Sequence, residues 1–315
     1  MTALICGSLA FDTIMLFKDK FKHHILPEQV HILNVSFMVP EMRREFGGCA
    51  GNIAYNLKLL GGNPLPMGTV GNDFTPYANW LDRCGIARTH ITEIAHTYTA
   101  QAFITTDLDD NQITAFHPGA MNFAHHNQVS QAQPITLGIV SPDGREGMIQ
   151  HAQQFADHHI PFIFDPGQGL PLFNGAELTH FIQQATWVIV NDYEWQLMAE
   201  KTKLSPAQIT EQVQALIITK GAEGATIYTP HTIHLIPPAK PRVTRDPTGC
   251  GDAFRGGLLY GLLNQLNWEI TGRIAALMGT LKIEHHGTQN HHFTLAEFNQ
   301  RFQENYSLPF EISTD

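Results

Sequence analysis

Residues 245–254 read Arg-Asp-Pro-Thr-Gly-Cys-Gly-Asp-Ala-Phe, and Phe254, Leu258, Leu262 and Leu266 recur at helical spacing. A helix is therefore expected to begin near Gly249 to Asp252. The first amides of a helix lack intrahelical acceptors and, with the positive end of the helix dipole, favour an anion; glycines let that anion approach the backbone. Gly249, Cys250 and Gly251 thus form a candidate phosphate cradle, and Asp252 is a candidate base for the proton of an attacking hydroxyl. Standing alone, Gly-x-Gly-Asp is equally a tight turn with an acid that complements the dipole. The Walker pattern Gly-x4-Gly-Lys-Ser/Thr is absent, and so is Gly-x-Gly-x-x-Gly at the first strand-to-helix turn.

Such a turn needs a sheet to carry it. Short apolar strands at 135–140, 161–165, 187–191 and 216–219 alternate with amphipathic helices, which predicts a parallel sheet covered by helices on both faces. These strands end in Ser141, Asp165, Asn191 and Thr219, and ligands of open α/β sheets gather outside the carboxyl ends of strands. Residues 225–229 and 232–235 read as an edge hairpin across Pro230-His231. The front half is less regular: after a first strand at 3–6, residues 12–45 and 98–116 alternate weakly without helical stripes. They predict a small β lid, 12–46 and 97–118, on a large α/β domain of 1–11, 47–96 and 119–315. Between them a helix over 50–60 is opened by Gly47-Gly48, a candidate hinge, and closed by Gly61-Gly62.

The 315 residues are enough for a full core, and 43% hydrophobic and 15% charged residues describe an ordinary globular chain. A net charge of −10 without a basic block argues against nucleic acid or a membrane surface as partner. No apolar run approaches the roughly 20 residues of a spanning helix, and the first strand lacks the basic leader of a secretory signal. Cys6, Cys49, Cys84 and Cys250 are widely spaced, which predicts free thiols and a cytoplasmic protein. The 18 histidines, several in pairs such as His125-His126, His158-His159 and His291-His292, lack zinc-site spacing and are expected at the surface.

Gly47-Gly48-Cys49-Ala50-Gly51-Asn52 and Asp246-Pro247-Thr248-Gly249-Cys250-Gly251-Asp252 resemble the two signatures of the ribokinase-like, pfkB carbohydrate kinase family. Asn191-Asp192-Tyr193-Glu194 is similar to its Asn-x-x-Glu motif, and the segment from Thr219 to Gly224 to its nucleotide-site Thr-x-Gly-x-x-Gly. Within the family, Gly7-Ser8-Leu9-Ala10-Phe11-Asp12, Leu26-Pro27-Glu28, Phe116-His117-Pro118-Gly119-Ala120-Met121, Asp192-Tyr193-Glu194-Trp195 and Asp246-Pro247-Thr248-Gly249 resemble segments of bacterial adenosine kinases. The resemblance implies a three-layer α/β/α sandwich with a mostly parallel central sheet and a β lid. It also implies ATP-dependent phosphorylation of the ribose 5′-hydroxyl of adenosine. A broader nucleoside kinase, a ribose-type sugar kinase and a non-catalytic nucleoside-binding protein are the alternatives.

By the same resemblance Ser8, Asp12, Gly48 and Asn52 belong to the nucleoside site, and Phe116 stacks on the base. The position of a second aromatic is Ala102, with Phe103 next to it, and Gln168 is a further pocket candidate. Asn191, Thr219, Gly221 and Gly224 would line the ATP site, with Glu194 reaching Mg²⁺ through water and Asp246 a candidate K⁺ ligand. Asn191 is equally a helix cap, and Arg255 is expected in a surface salt bridge. The dipole at a helix start should lower the Asp252 pKa below its ordinary ~3.9, which a loose phosphoryl-transfer transition state tolerates. The lid also implies a homodimer.

Overall fold

The computed structural model describes residues 1–25, 32, 34–109 and 111–312. The segment Leu26-Pro27-Glu28 lies outside the described residues. The main sheet has nine strands, in the order β13-β12-β11-β10-β9-β8-β1-β4-β5. These are β1 (Thr2–Cys6), β4 (Asn63–Gly71), β5 (His90–Ile94), β8 (Leu137–Val140), β9 (Phe162–Phe164), β10 (Trp187–Asn191), β11 (Ala215–Thr219), β12 (Ala225–Tyr228) and β13 (Ile233–Ile236). Neighbours run parallel from β5 to β11, and β12 and β13 form the antiparallel edge hairpin, with Tyr228 opposite Ile233.

Strand residues alternate between two apolar cores, as a doubly covered sheet requires. Ala3, Ile5, Ile139, Ile189 and Ile217 pack with α1 (Cys49–Leu59), α2 (Thr75–Arg83) and α7 (Cys250–Leu263), with α8 (Trp268–Ile283) closing that layer. Leu4, Cys6, Val140, Val188, Val190 and Leu216 pack with α3 (Arg145–Asp157), α4 (Gly175–Gln184), α5 (Asp192–Thr202) and α6 (Pro206–Thr210). The terminal α9 (Leu295–Tyr306) packs on α8 through Phe298 and Phe302. Several helices start where side chains take the orphan amides: Asn174, Asn191, Ser205 and Thr294 each form a capping box with the Glu or Gln three residues on.

A second, four-stranded sheet has the order β3-β2-β6-β7, with β2 (Ala10–Leu16), β3 (Glu41–Gly47), β6 (Ala100–Thr106) and β7 (Gln112–His117). Its central pair, β2 and β6, is parallel and the outer pairs are antiparallel. Register puts Asp12 beside Glu45 and Ala102, and Ala102 beside Phe116, so these four share one face. Met15, Met42, Phe103 and Ile113 belong to the other face.

The fold is α/β of the layered type anticipated from the strand-helix alternation. The histidine expectation needs correction: His151 and His291 are fully buried. His291 Nε2 pairs with Asn56 Oδ1 at 2.7 Å, its carbonyl accepts from the Tyr55 hydroxyl, and burial pushes its pKa down to about 3. It is therefore a neutral core histidine, a role that spacing in the sequence does not signal.

Candidate active site

The chain turns from β3 into α1 at Gly48, whose φ of 84° is left-handed; an added Cβ would lie 2.5 Å from the Ser8 carbonyl oxygen and 2.7 Å from Ala10 N. Gly48 has no side chain to cap α1, so another segment does it: the Ser8 hydroxyl accepts from Cys49 N–H at 3.1 Å and the Ser8 carbonyl from Ala50 N–H at 3.0 Å. Ser8, expected among the substrate groups, is 6% exposed and builds the start of α1. Three residues into that helix, the Asn52 amide donates to Asp252 Oδ2 at 2.8 Å. Its carbonyl oxygen accepts from Gln289 at 2.9 Å. Asn52 therefore holds the candidate base, a contact that its expected place beside the ribose did not include.

Asp252 lies in the first turn of α7, after Gly249 at φ 79°. The amides of Gly249, Gly251 and Asp252 have no acceptor among the described residues, whereas Cys250 N–H is bonded to the Pro247 carbonyl at 3.2 Å. The free donors are thus Gly249, Gly251 and Asp252, while the Cys250 amide is turned to its own loop. The pKa direction also reverses. Burial pushes the Asp252 carboxyl up to about 6, against the Asn52 amide and the Arg255 guanidinium, which pull it down. Desolvation outweighs the helix end because the half-buried carboxylate sits against α1.

Arg255, one turn further, is 6% exposed and grips Asp165 at the end of β9 with two hydrogen bonds of 2.5 and 2.6 Å. It also donates to the Gly251 carbonyl at 3.1 Å. The expected salt bridge exists, but it is a buried fork and not a surface pair. Burial works against the Arg255 charge, and the carboxylates of Asp165, Glu194 and Asp252 more than restore it.

On the four-stranded sheet, burial and the neighbouring Glu45 and Asp246 carboxylates push Asp12 up to about 6. Phe116 is 52% exposed with Ala102 directly opposite, while Phe103 faces away, so this wall carries one aromatic. Gln168 is exposed, with its amide 4.0 Å from Cys49 Sγ. Across the sheet, Asn191 caps α5 and Glu194 Oε2 returns the bond at 2.8 Å. Thr219 ends β11; Gly221 (φ 54°) is exposed with open space around it. Gly224 (φ 86°) is buried against the Ile236 carbonyl, where a Cβ has no room, so its role is to shape the loop.

Along the sequence, residues 23–294 match the model of the pfkB family carbohydrate kinases. The chain belongs to this family. This pfkB kinase is similar to a nucleoside kinase of Methanocaldococcus jannaschii, 30% identical over 260 residues that cover 81% of this chain and 85% of the relative. Its structure is similar to that of Burkholderia thailandensis nucleoside kinase in complex with inosine (TM-score 0.88, 52% identity, 97% of this chain and 98% of the other). The same relative in complex with ADP-inosine aligns at TM-score 0.87 and 53% identity over 99% and 98% of the two chains. Family and fold make the protein an ATP-dependent kinase with a ribokinase-like architecture.

Mg²⁺ fits the residues present. No group of three or more His, Cys, Asp or Glu side chains that could cage a metal exists among the described residues. Mg²⁺ in phosphoryl transfer needs no cage, since it keeps water and substrate phosphates and takes one or two carboxylates. Glu194 commits Oε2 to its own helix, and burial raises its pKa against the Arg255 charge. The groups that sequence reasoning missed are Gln289, Tyr77 and Lys282, each tied to a partner at least 30 residues away: Gln289 to Asn52, Tyr77 to the Gly47 carbonyl and Lys282 to the Asp246 carbonyl. A buried Gln or Lys has no periodicity to announce it.

Proposed function

We propose that this kinase transfers the γ-phosphoryl group of ATP to the 5′-hydroxyl of a nucleoside, with adenosine as one of several acceptors. The observation that carries it is Asp252, held by Asn52 beside the unpaired amides of Gly249, Gly251 and Asp252. The carboxylate orients the hydroxyl and takes its proton late, while the amides stabilise charge on the phosphoryl oxygens. Asp12 supplies acceptors for the two hydroxyls of a ribose 2′,3′-diol. Gly48 packs beneath the sugar, Phe116 covers one face of the base, and Gln168 closes the pocket near Cys49. Asn191, Thr219 and Gly221 border the nucleotide, Gly224 shapes that loop, and Glu194 reaches Mg²⁺ through water; bound Mg²⁺ neutralises phosphate charge. The lid, 12–46 and 97–118, closes over the large domain at Gly47-Gly48.

Breadth towards the base follows from Ala102. A single stacking surface accepts any base face, and a narrow pocket would need buried hydrogen-bond partners. The similar relative bound to inosine supports a purine range wider than adenosine. Turnover should be measured with adenosine, inosine, guanosine, cytidine and ribose. Adenosine and inosine should both react faster than ribose; ribose ahead of every nucleoside would sink this reading. Asp252→Asn should lose orders of magnitude in turnover while still binding nucleoside; nucleoside binding without any turnover in the wild type would instead point to a non-catalytic binding protein.

The outer lid face supports a homodimer. Met42 is 69% exposed, Ile113 44% and Phe103 41%, on the side opposite Asp12. Four free cysteines and ATP as donor support a cytoplasmic location, and no described helix is long and apolar enough to cross a membrane.

A further inference from the structure

Asp246 was expected to help hold a K⁺ ion, and its surroundings do not fit one. The Lys282 side chain is fully buried, and its ammonium donates to the Asp246 carbonyl at 2.7 Å and to the His285 carbonyl at 3.2 Å. The Asp246 carboxylate lies 4.0 Å away. Its two oxygens are already engaged, Oδ1 by Thr248 N–H and Oδ2 by Gly287 N–H, both at 2.9 Å. Burial pushes the Asp246 carboxyl up, and these amides with the Lys282 charge hold it below the usual range, so it stays ionised. A monovalent metal would need the same carbonyl lone pairs that the ammonium now occupies.

We propose that the Lys282 ammonium is the built-in cation of the phosphate cradle. It pins the loop from Asp246 to Gly251 in the shape that presents the Gly249, Gly251 and Asp252 amides, and makes K⁺ unnecessary there. The position suits a cation: Lys282 lies in the last turn of α8, where the helix dipole is negative. The loop is fixed to the same helix end, because the amides of Arg245 and Asp246 both donate to the Ile283 carbonyl. Thr288 underlies Gly249, where an added Cβ would lie 3.0 Å from its methyl group. The charge also reaches the cradle, opposing the burial that pushes the Cys250 thiol up to about 11. A buried ammonium is costly without partners, and here two carbonyls and a carboxylate surround it.

The inference rests on the nucleoside kinase reading, and its test has readouts of its own. Nucleoside phosphorylation with Mg-ATP is compared with tetramethylammonium or K⁺ as the monovalent cation, beside thermal melting in the same two salts. The wild-type rate should agree within about twofold, and its melting temperature should show no K⁺-specific rise. Lys282→Met should lose at least about tenfold in kcat in tetramethylammonium, recover with K⁺ or NH4⁺, and melt higher in K⁺. A wild type that gains more than about fivefold from K⁺, or a Lys282→Met enzyme at full rate in tetramethylammonium, overturns the proposal. If Lys282→Met folds in neither salt, the wild-type response decides, with Lys282→Arg expected to remain K⁺-indifferent. Absence of turnover with every nucleoside would remove the functional reading and leave the melting comparison to judge Lys282.

Discussion

Asp252 carries opposing demands. Its burial raises the pKa to about 6, which makes it a better proton acceptor than an exposed Asp and costs stability whenever it is ionised. In its proposed role as base Asp252 acts as the carboxylate, so kcat/KM should fall tenfold per pH unit below about 6 and level off above it. Asp12, also at about 6, steepens that fall if the ribose needs it ionised. For stability the sign is the reverse. A folded pKa above the unfolded 3.8 means that the native state binds the proton more tightly, so this contribution declines as pH rises from about 4 to 6 and stays low above. Asp252→Asn, which keeps an acceptor for Asn52, should therefore lose about 10² to 10⁴ in kcat while melting higher than wild type at pH 8. Steady-state kinetics and calorimetry on the same preparation check both; a variant that is inactive and less stable at pH 8 contradicts the burial argument.

At the scale of elements, the base is only as well placed as α7, and α7 is fastened to β9 by the Arg255 fork on Asp165. Replacing Arg255 by Met leaves Asp165, 1% exposed, as a buried charge without its partner. That should cost about 3 to 5 kcal/mol in urea unfolding, and the double change Arg255→Met with Asp165→Asn should recover part of it. The sequence made the strands, the helix starts and the Gly-lined turns legible because each has a local signature: period 2, period 3.6, a cap or a glycine. Asn191 with Glu194 is such a case, since Asn-x-x-Glu reads as a capping box before any fold is known. What was illegible depends on partners distant in the chain. Arg255 looked exposed because its partner lies 90 residues away, and the Asp252 pKa ran opposite to the dipole argument because enclosure by α1 is invisible along the chain. Gly48 was legible as a junction but not as a forced conformation. Gly48→Ala should destabilise the protein and raise KM for nucleoside, because its φ and the Ser8 carbonyl both exclude a methyl group.

For the molecule as a whole, the proposed lid on the four-stranded sheet has to be coupled to the proposed base, Asp252, beside the other sheet. The stretch after α8 connects them. Thr288 donates to the Phe46 carbonyl at 2.6 Å and Asn290 to Glu45 at 2.8 Å, both at the end of β3. Between them Gln289, 1% exposed, donates to Asn52 and to the Tyr77 hydroxyl and accepts from Trp80 Nε1. Tyr77 in turn donates to the Gly47 carbonyl at 2.8 Å, so the Gly47-Gly48 junction and Asp252 share one buried network. Gln289→Leu keeps similar volume and strips Asn52, Tyr77 and Trp80 of a partner, at about 1 to 3 kcal/mol for each polar group left unpaired in the interior. Freed Asn52 would hold Asp252 less firmly, so the acid limb of the pH profile should move upward and kcat should fall, while KM for ATP stays near wild type because no nucleotide-side residue is touched. Gln289→Glu separates packing from hydrogen bonding: its carboxylate still accepts from Trp80 but cannot donate to Asn52. If Gln289→Leu lowers the melting temperature yet leaves kcat and the acid limb unchanged, the network is a scaffold only, and the lid and base communicate by another route.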